Sequence, residues 1–397
     1  MSAAVDYLVV GAGPAGMAAA TVAAGAGIST LVVDEQSGVG GQIYRNVDAH
    51  ASDAGGVTGA DWKRGRELVA QYRASGAAHR ASMQVWQLDL PRDGSCKVYV
   101  TDGAQADVIS ARRVLLATGA MERPIPFPGW TLPGVMTVGA AQILYKTAQR
   151  VPQSGTWIAG SGPLLWLFAA QVLEAGGRLE GVLDTTPRIN YAHALRHSVS
   201  AIRNHAYLDR GLDLQKLVKQ ARVPVVKDVA AIEARGDDHV VAVRFRTGGA
   251  WQEIPATTLL VHHGVVPSVH ATRSIQAQHR WDPLQRAFAP LVDVWGNTSV
   301  EGYAVAGDGA GIVGAEASAL KGRLAGLDAA RALGAIDVRQ RDARAESLLA
   351  ELERHLPIRP FIDQLFMPRP AFYAPDDEVI VCRCESVTAG RIREAVA

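Results

Sequence analysis

Cysteine is scarce: three residues in 397, two of them, Cys382 and Cys384, separated by a single position. That excludes a disulfide framework, and because Cys96 stands alone before residue 382, it excludes a redox-active dithiol in the body of the chain. Cys96 reads as a small buried hydrophobe. Charge of one sign is lacking too. Forty basic against 39 acidic residues leave a net charge of +1, which gives no field to recruit nucleic acid or an anionic membrane surface. No long apolar run is present. The most apolar stretch, residues 157–173, is broken by Gly160-Ser161-Gly162-Pro163 and does not read as a membrane span. The chain opens directly into a strand pattern carrying Asp6, with no basic n-region, apolar h-region or twin arginine. No export signal is read there, and a reducing cytoplasm is the expected compartment. A Ser-His-Asp set, a metal-ligand histidine cluster and a paired-carboxylate motif are all missing, and His262 and His263, at a strand exit, read as packing or hydrogen-bonding residues.

Glycine, by contrast, is plentiful at 40 residues, and its placement carries the first functional signal. Residues 5–16 run Val-Asp-Tyr-Leu-Val-Val-Gly-Ala-Gly-Pro-Ala-Gly. The β-branched apolar run predicts a strand, the glycines a tight turn, and the alanine-rich residues 17–26 a helix. Together they make the opening of a dinucleotide-binding βαβ unit. Gly11 turns the chain, Gly13 lets backbone N–H groups approach a pyrophosphate, and Gly16 lets helix and strand pack closely. Pro14 and Ala15 open a helix whose positive end faces the phosphates. A second apolar run, residues 30–33, leads into Asp34 and Glu35, about twenty residues on, where an acid accepts from adenosine ribose hydroxyls. The paired glycines of Gly40-Gly41-Gln42-Ile43-Tyr44-Arg45 again allow close backbone approach.

The length leaves room for two or three domains. Residues 49–59 read as a loop and 61–75 as a helix. Strand-like runs at 83–88, 96–101 and 107–110 predict a small antiparallel piece inserted before a core strand at 114–117. That strand stops on Ala117-Thr118-Gly119 and passes into a proline-rich crossover, as a chain leaving one domain for another does. A second βαβ opening follows: a strand at 156–159, the turn Gly160-Ser161-Gly162-Pro163-Leu164-Leu165, a helix at 166–175, and a strand ending on Asp184. Leu165 replaces the third glycine, so this unit either holds a nucleotide or keeps the fold with an altered crevice. Strand-like runs resume at 223–226, 230–234, 240–245 and 259–261, the last entering His262-His263-Gly264 and marking a return to the first domain. Ala306-Gly307-Asp308 closes that domain, with a helix opening over 309–317. Residues 327–356 read as helical, 357–375 as a proline-punctuated connection, and 379–385 as a strand carrying the two close cysteines.

The first glycine motif, Ala117-Thr118-Gly119, the second glycine motif and Ala306-Gly307-Asp308 together resemble the flavoproteins with two dinucleotide-binding domains. The runs Gly-Gly-Gln-Ile-Tyr-Arg at 40, Glu-Arg-Pro at 122, Gly-Ser-Gly-Pro-Leu-Leu at 160, His-His-Gly-Val-Val-Pro at 262 and Ala-Gly-Asp-Gly-Ala-Gly-Ile at 306 are similar to the FAD-bearing α subunits of the heteromeric amine and imino-acid dehydrogenases. That group includes the flavoprotein of opine oxidase, the D-hydroxyproline and proline dehydrogenase α subunits and the hydrogen cyanide synthase flavoprotein, and the resemblance covers essentially the whole chain. It implies an α/β fold with two Rossmann-like domains of the glutathione-reductase-like FAD/NAD(P) type. The FAD domain is then discontinuous, at 1–125 and 270–335, with a second NAD(P)-like domain at 150–265. A helical extension and linker at 336–378 leads to the start of a ferredoxin-like [2Fe–2S] module at 379–397.

FAD is implied at Gly11, Gly13, Pro14, Ala15, Gly16, Asp34, Glu35, Gly41, Gln42, Arg45, Ala117, Thr118, Gly119, Gly307, Asp308, Gly311 and Ile312. Asp308 would accept from a ribityl hydroxyl, and a helix beginning near Gly311 would aim N–H groups at the flavin pyrimidine edge. Gly160, Gly162 and Asp184 are the candidates for NAD or another adenine nucleotide. Cys382 and Cys384 would supply two of the four ligands of a [2Fe–2S] centre. The family's other two cysteines lie about thirty residues downstream and this sequence stops at Ala397, so the module reads as truncated or completed by another chain; two free thiols are the alternative.

The resulting expectation is an electron-transferring component of a complex acting on the C–N bond of an opine, proline, hydroxyproline or similar amino acid. Its implied partners are a catalytic β flavoprotein and a small iron–sulfur protein, with no nucleic acid and no transmembrane segment. Two rival readings are a self-sufficient NAD(P)H-dependent flavin reductase, with Asp184 favouring NAD, and a scaffold protein holding a structural nucleotide.

Overall fold

The computed structural model describes residues 3–49 and 59–397. The chain divides into two units: the first takes the described residues up to 49, Gly59–Met121 and Val265–Arg359, and the second takes Glu122–Gly264 and Pro360–Ala397.

In chain order, the first unit contributes β1 (Ala3–Val10), α1 (Pro14–Gly25), β2 (Thr30–Val33), α2 (Gly59–Ala74), β3 (Ala78–Arg80), β4 (Gln84–Leu88), β5 (Cys96–Thr101) and β6 (Ala106–Leu116). The chain then enters the second unit through β7 (Val135–Thr137), α3 (Val138–Ala148), β8 (Thr156–Ser161), α4 (Pro163–Glu174), β9 (Gly181–Asp184), β10 (Val225–Lys227) and β11 (Thr258–His263). It returns to the first for β12 (Tyr303–Val305), α5 (Ala315–Ala332) and α6 (Val338–His355).

The first unit is built on a seven-stranded sheet in the order β3-β2-β1-β6-β5-β4, with β12 also on β6. β1, β2, β3, β6 and β12 run parallel, and their residues Leu8, Val9, Val32, Val33, Val114, Leu115 and Leu116 are fully or almost fully buried. Such two-sided burial explains why they read as continuous apolar runs rather than alternating ones. The runs expected at 107–110 and 114–117 prove to be one eleven-residue strand. One edge of β6 pairs with β1 along its length. The other edge forks: residues 106–111 pair antiparallel with β5, and residues 114–116 pair parallel with β12. The antiparallel piece is therefore part of the same seven-stranded sheet.

Helices α1 and α5 lie against each other at backbone distance. A Cβ on Gly322 would stand 2.1 Å from the Ala15 carbonyl oxygen, and one on Gly326 2.6 Å from that of Ala19. Alanine and glycine on both faces are what permit that approach, and the alanine run of α1 buries Ala18, Ala19, Ala20 and Ala23. The helix expected over 309–317 starts only at Ala315, and the helical stretch expected over 327–356 breaks at Gly334, whose φ of +83° ends α5 before Asp337 caps α6.

The second unit has a five-stranded parallel sheet, β10-β9-β8-β11-β7, and a three-stranded antiparallel sheet of Ala231–Arg235, Ala242–Thr247 and Ala250–Pro255. Residues 188–220 are mostly helical, in Arg188–Ala194, Ser198–Arg203 and His205–Gln220. The expected linker and cysteine segment, from residue 360 on, packs in this unit. Among the described residues no helix is long and apolar enough to cross a membrane.

Candidate functional site

The β1–α1 turn has the shape of a phosphate cradle. Gly11 has φ +105°, and a Cβ there would lie 2.5 Å from the Ala117 carbonyl oxygen; one on Gly16 would lie 1.8 Å from that of Gly11. Both positions are closed to any side chain. Gly13 is different. It caps α1 in an extended conformation (φ −76°), with no side-chain cap bond and no acid in the first turn, and the nearest atom to its absent Cβ is the Gly41 Cα at 3.7 Å. The helix thus begins with N–H groups that no side chain answers, where the Gly13 and Gly41 backbones meet in van der Waals contact. Pro14 at the first helical position lacks an N–H, which leaves the donors of Ala15 and Gly16 to point outward. An anionic pyrophosphate fits that donor set.

The other first-domain candidates gather around this turn. Asp34 is 8% exposed; its Oδ2 accepts from the Ala12 N–H at 2.5 Å and its Oδ1 from the Gln36 N–H at 2.7 Å. Two backbone donors hold the carboxylate at the mouth of the turn, with lone pairs left for hydroxyl donors. Glu35, in contrast, is exposed and accepts from Gln36 Nε2. Arg45 donates to Gln36 Oε1 at 2.5 Å and to Gln42 Oε1 at 3.2 Å, which ties the Gly40–Gly41 loop to the β2 exit. Gln36, at the centre of this network, had no pattern to mark it.

β6 ends beside the same turn, with the Ala117 N–H donating to Val10 O at 2.8 Å. Thr118 Oγ1 donates to Ser268 O, and the Ser268 N–H returns a bond to Gly119 O. A Cβ on Gly309 would stand 3.4 Å from Gly119 O, and one on Gly307 2.9 Å from the Ala15 Cβ. The three separated signatures of the sequence therefore meet in one place.

Asp308 has a structural task as well. Its Oδ1 accepts from the N–H groups of Val313 (2.7 Å) and Gly314 (2.9 Å) and from Ser318 Oγ (3.4 Å). It shapes the loop ahead of α5, and Oδ2 is not part of that cap. Gln285 clamps the same loop, accepting from the Ile312 N–H and donating to the Ile312 carbonyl, both at 2.9 Å. Gly311 lies between these two anchors, so it belongs to a fixed loop rather than to a helix start. Lys321, one turn beyond Ser318, has its amine pushed down by burial and partly restored by Asp308. Sequence reasoning missed Gln285 and Lys321, since neither sits in a glycine motif.

In the second unit, Gly160, Gly162 and Asp184 are brought together at the ends of β8 and β9. Asp184 is 5% exposed; burial pushes its carboxyl up, and its Oδ1 accepts from the Thr186 N–H at 2.9 Å. The Cδ2–Nε2 edge of the His262 ring lies 3.2 Å from where a Gly162 Cβ would be, and its Nδ1 meets Glu122 Oε1 at 2.7 Å. Glu122 Oε2 accepts from the Gly139 N–H in the first turn of α3, which holds the carboxylate in position. His263 is buried, and burial with the neighbouring His262 and Arg123 charges pushes it down to about 3, so it is a neutral packing residue against Phe372.

Cys96 is 1% exposed and burial pushes its thiol up to about 11. Cys382 closes a short strand (Ile380–Cys382) paired with Val387–Thr388, and Cys384 is exposed in the turn. Among the described residues no group of three or more His, Cys, Asp or Glu side chains converges as a metal site.

Comparison with known proteins gives this geometry its family. The model of the pyridine nucleotide-disulphide oxidoreductases matches residues 5–334. The first-lettered of the opine oxidase subunits of Rhizobium meliloti is 42% identical over 99% of this chain and 75% of its own length. Hydrogen cyanide synthase subunit HcnB of Pseudomonas aeruginosa is 32% identical over 98% of this chain and 84% of its own. Among solved structures, L-proline dehydrogenase from P. horikoshii superposes with a TM-score of 0.70 at 18% identity, covering all of this chain and 67% of that one. T. acidophilum thioredoxin reductase superposes with a TM-score of 0.58 at 18% identity over 82% of this chain and 97% of that one; at that identity the likeness is one of fold. The chain belongs to the pyridine nucleotide-disulphide oxidoreductase family and is an FAD-dependent oxidoreductase.

Proposed function

We propose that the chain is the FAD-bearing, electron-transferring member of a heteromeric dehydrogenase or oxidase that opens the C–N bond of an opine, proline, hydroxyproline or similar amino acid. One observation carries the cofactor part of this reading. The uncapped N-terminus of α1, the close Gly13–Gly41 backbone approach, the Asp34 carboxylate on the Ala12 N–H, and Gly307 and Gly309 packed near Ala15 and Gly119 support it together. The Ala15 and Gly16 N–H groups would hold the pyrophosphate, Asp34 the adenosine ribose, and Asp308 Oδ2 a ribityl hydroxyl. Gly311 and Ile312, fixed by Gln285, would line the flavin side. FAD supplies the ability to accept two electrons together and release them singly. The partner reading rests on the relatives, which are themselves named as subunits. In a relay role the chain would leave the substrate chemistry to a partner flavoprotein. Cys382 and Cys384 would supply two of the four ligands of an iron–sulfur centre, and a small iron–sulfur partner would supply the rest.

The test is to denature the purified yellow chain and identify the released nucleotides by mass, then assay it alone with opines, proline and hydroxyproline. FAD at one equivalent with feeble amine oxidation is the expected result. A colourless chain that refuses added FAD, or brisk turnover by the chain alone, would refute the reading.

A further inference from the structure

The strand–glycine turn–helix motif occurs twice in this chain, and the two copies end differently. At the first, Gly11, Gly13, Gly119 and Asp308 are only half-buried. At the second, Ser161, Gly162, Asp184, Thr185 and Asn190 are all buried, and Ser161 and Asn190 are bonded to the protein's own backbone. Ser161 Oγ donates to Phe366 O at 3.3 Å, and Asn190 Nδ2 donates to Leu365 O at 3.0 Å and to Met367 O at 2.8 Å. Arg369 pairs with Asp228 just past β10, and Phe372 stacks on His263 with ring centroids 4.6 Å apart. A dinucleotide in this fold lies outside the carboxyl ends of the strands, over the glycine turn and the acid at the end of the second strand. Residues 365–369 hydrogen-bond to the turn itself and to the first helix past that acid. Their three carbonyl oxygens take up donors that phosphate and ribose would need, and present the negative end of each dipole to an incoming phosphate. On the β11 side the His262 ring, tethered by Glu122, fills the room beside Gly162 where a pyrophosphate would come closest to the backbone.

We propose that residues 365–372 are a built-in occupant of the second crevice, so that the chain takes neither NAD(H) nor NADP(H) there. Electrons then pass to and from the first unit by a route without nicotinamide. This goes beyond the function proposed above and removes the self-sufficient NAD(P)H reductase as its rival.

The experiment uses the whole chain, titrated calorimetrically with ADP and with NADH, and mixed anaerobically with NADH while the flavin absorbance is followed. The expected outcome is no binding heat for either nucleotide and a flavin that stays oxidised. A dissociation constant below about 100 μM for ADP or NADH, a binding energy of at least roughly 5.5 kcal/mol, or bleaching of the flavin by NADH would overturn the proposal. Hydrogen exchange of the unaltered protein adds a check that needs no variant: the amides of Leu365, Phe366, Met367 and Arg369 should be protected and unchanged by ADP, and fast exchange there would count against the strap. In the Asn190→Ala/Phe372→Ala chain, which frees the strap at both ends, exchange should rise and ADP binding should appear. A folded variant with the strap exposed and still no ADP binding would also sink the idea. A chain without FAD would refute the function proposed above; the exchange protection of the strap, which does not depend on the first unit's occupancy, would still test this proposal.

Discussion

Gly13 and Gly16 are three residues apart in one motif, yet their environments assign opposite consequences to the same methyl group. At Gly13 the backbone is extended at φ −76°, an angle any residue adopts, and an added Cβ would meet nothing nearer than the Gly41 Cα at 3.7 Å. Replacing glycine by alanine at a helix N-cap costs several tenths of a kcal/mol to about 1, and reduced freedom of the unfolded chain returns about 0.4–1 kcal/mol. Gly13→Ala should therefore leave the stability of the apoprotein within about 1 kcal/mol of the unaltered chain. The same methyl stands where a pyrophosphate must approach the α1 N–H groups. Losing two charge-assisted hydrogen bonds at about 1.5–3 kcal/mol each weakens FAD binding by about 3–6 kcal/mol, a factor of roughly 10² to 10⁴. At Gly16 the methyl would stand 1.8 Å from the Gly11 carbonyl oxygen, so Gly16→Ala should damage folding with or without cofactor. Urea unfolding of the apoproteins and fluorescence titration with FAD separate the two effects. If Gly13→Ala binds FAD as tightly as the unaltered chain, the pyrophosphate does not lie over the α1 N-terminus.

Two further outcomes follow from buried titratable groups. His263, pushed down to about 3 by burial and by the His262 and Arg123 charges, binds its proton in the unfolded chain near pH 6.5 but not in the folded one. Between those values the unfolded state holds more protons, so stability should rise with pH, at a slope of up to about 1.4 kcal/mol per pH unit from this residue. Comparing urea midpoints from pH 4 to 7 for the unaltered chain and His263→Phe should show a smaller slope in the variant, and an unchanged slope would refute the assignment. The thiols should divide by environment: at pH 8 a colorimetric thiol reagent should titrate Cys382 and Cys384 quickly, and Cys96, 1% exposed and pushed up to about 11, only after unfolding. Three fast thiols in the native protein would show that Cys96 is not sealed in the core.

The fold class and the crevice of the first unit were legible because local sequence imposes them. A β-branched run buried on both faces, a turn that tolerates no side chain at Gly11 or Gly16, and an alanine helix that lets Gly322 and Gly326 approach its backbone leave few other structures open. Asp34 was marked by spacing alone, since a strand of fixed length ends where the acid stands. Tertiary structure decided the rest. β6 forks between an antiparallel and a parallel partner, and neither pairing has a sequence period of its own. Asp308 spends one oxygen on backbone N–H groups five and six residues on, which moves the helix start from Gly311 to Ala315. Gln36 and Gln285 act through side-chain bonds to Arg45 and to the Ile312 backbone, which no local pattern marks. The second glycine turn carries much of the first's local signal, with Leu165 in place of the third glycine, because glycine spacing fixes the turn but not what lies above it. Whether that turn faces solvent or the carbonyls of residues 365–367 depends on a segment some 200 residues away, and no nearest-neighbour preference reaches that far.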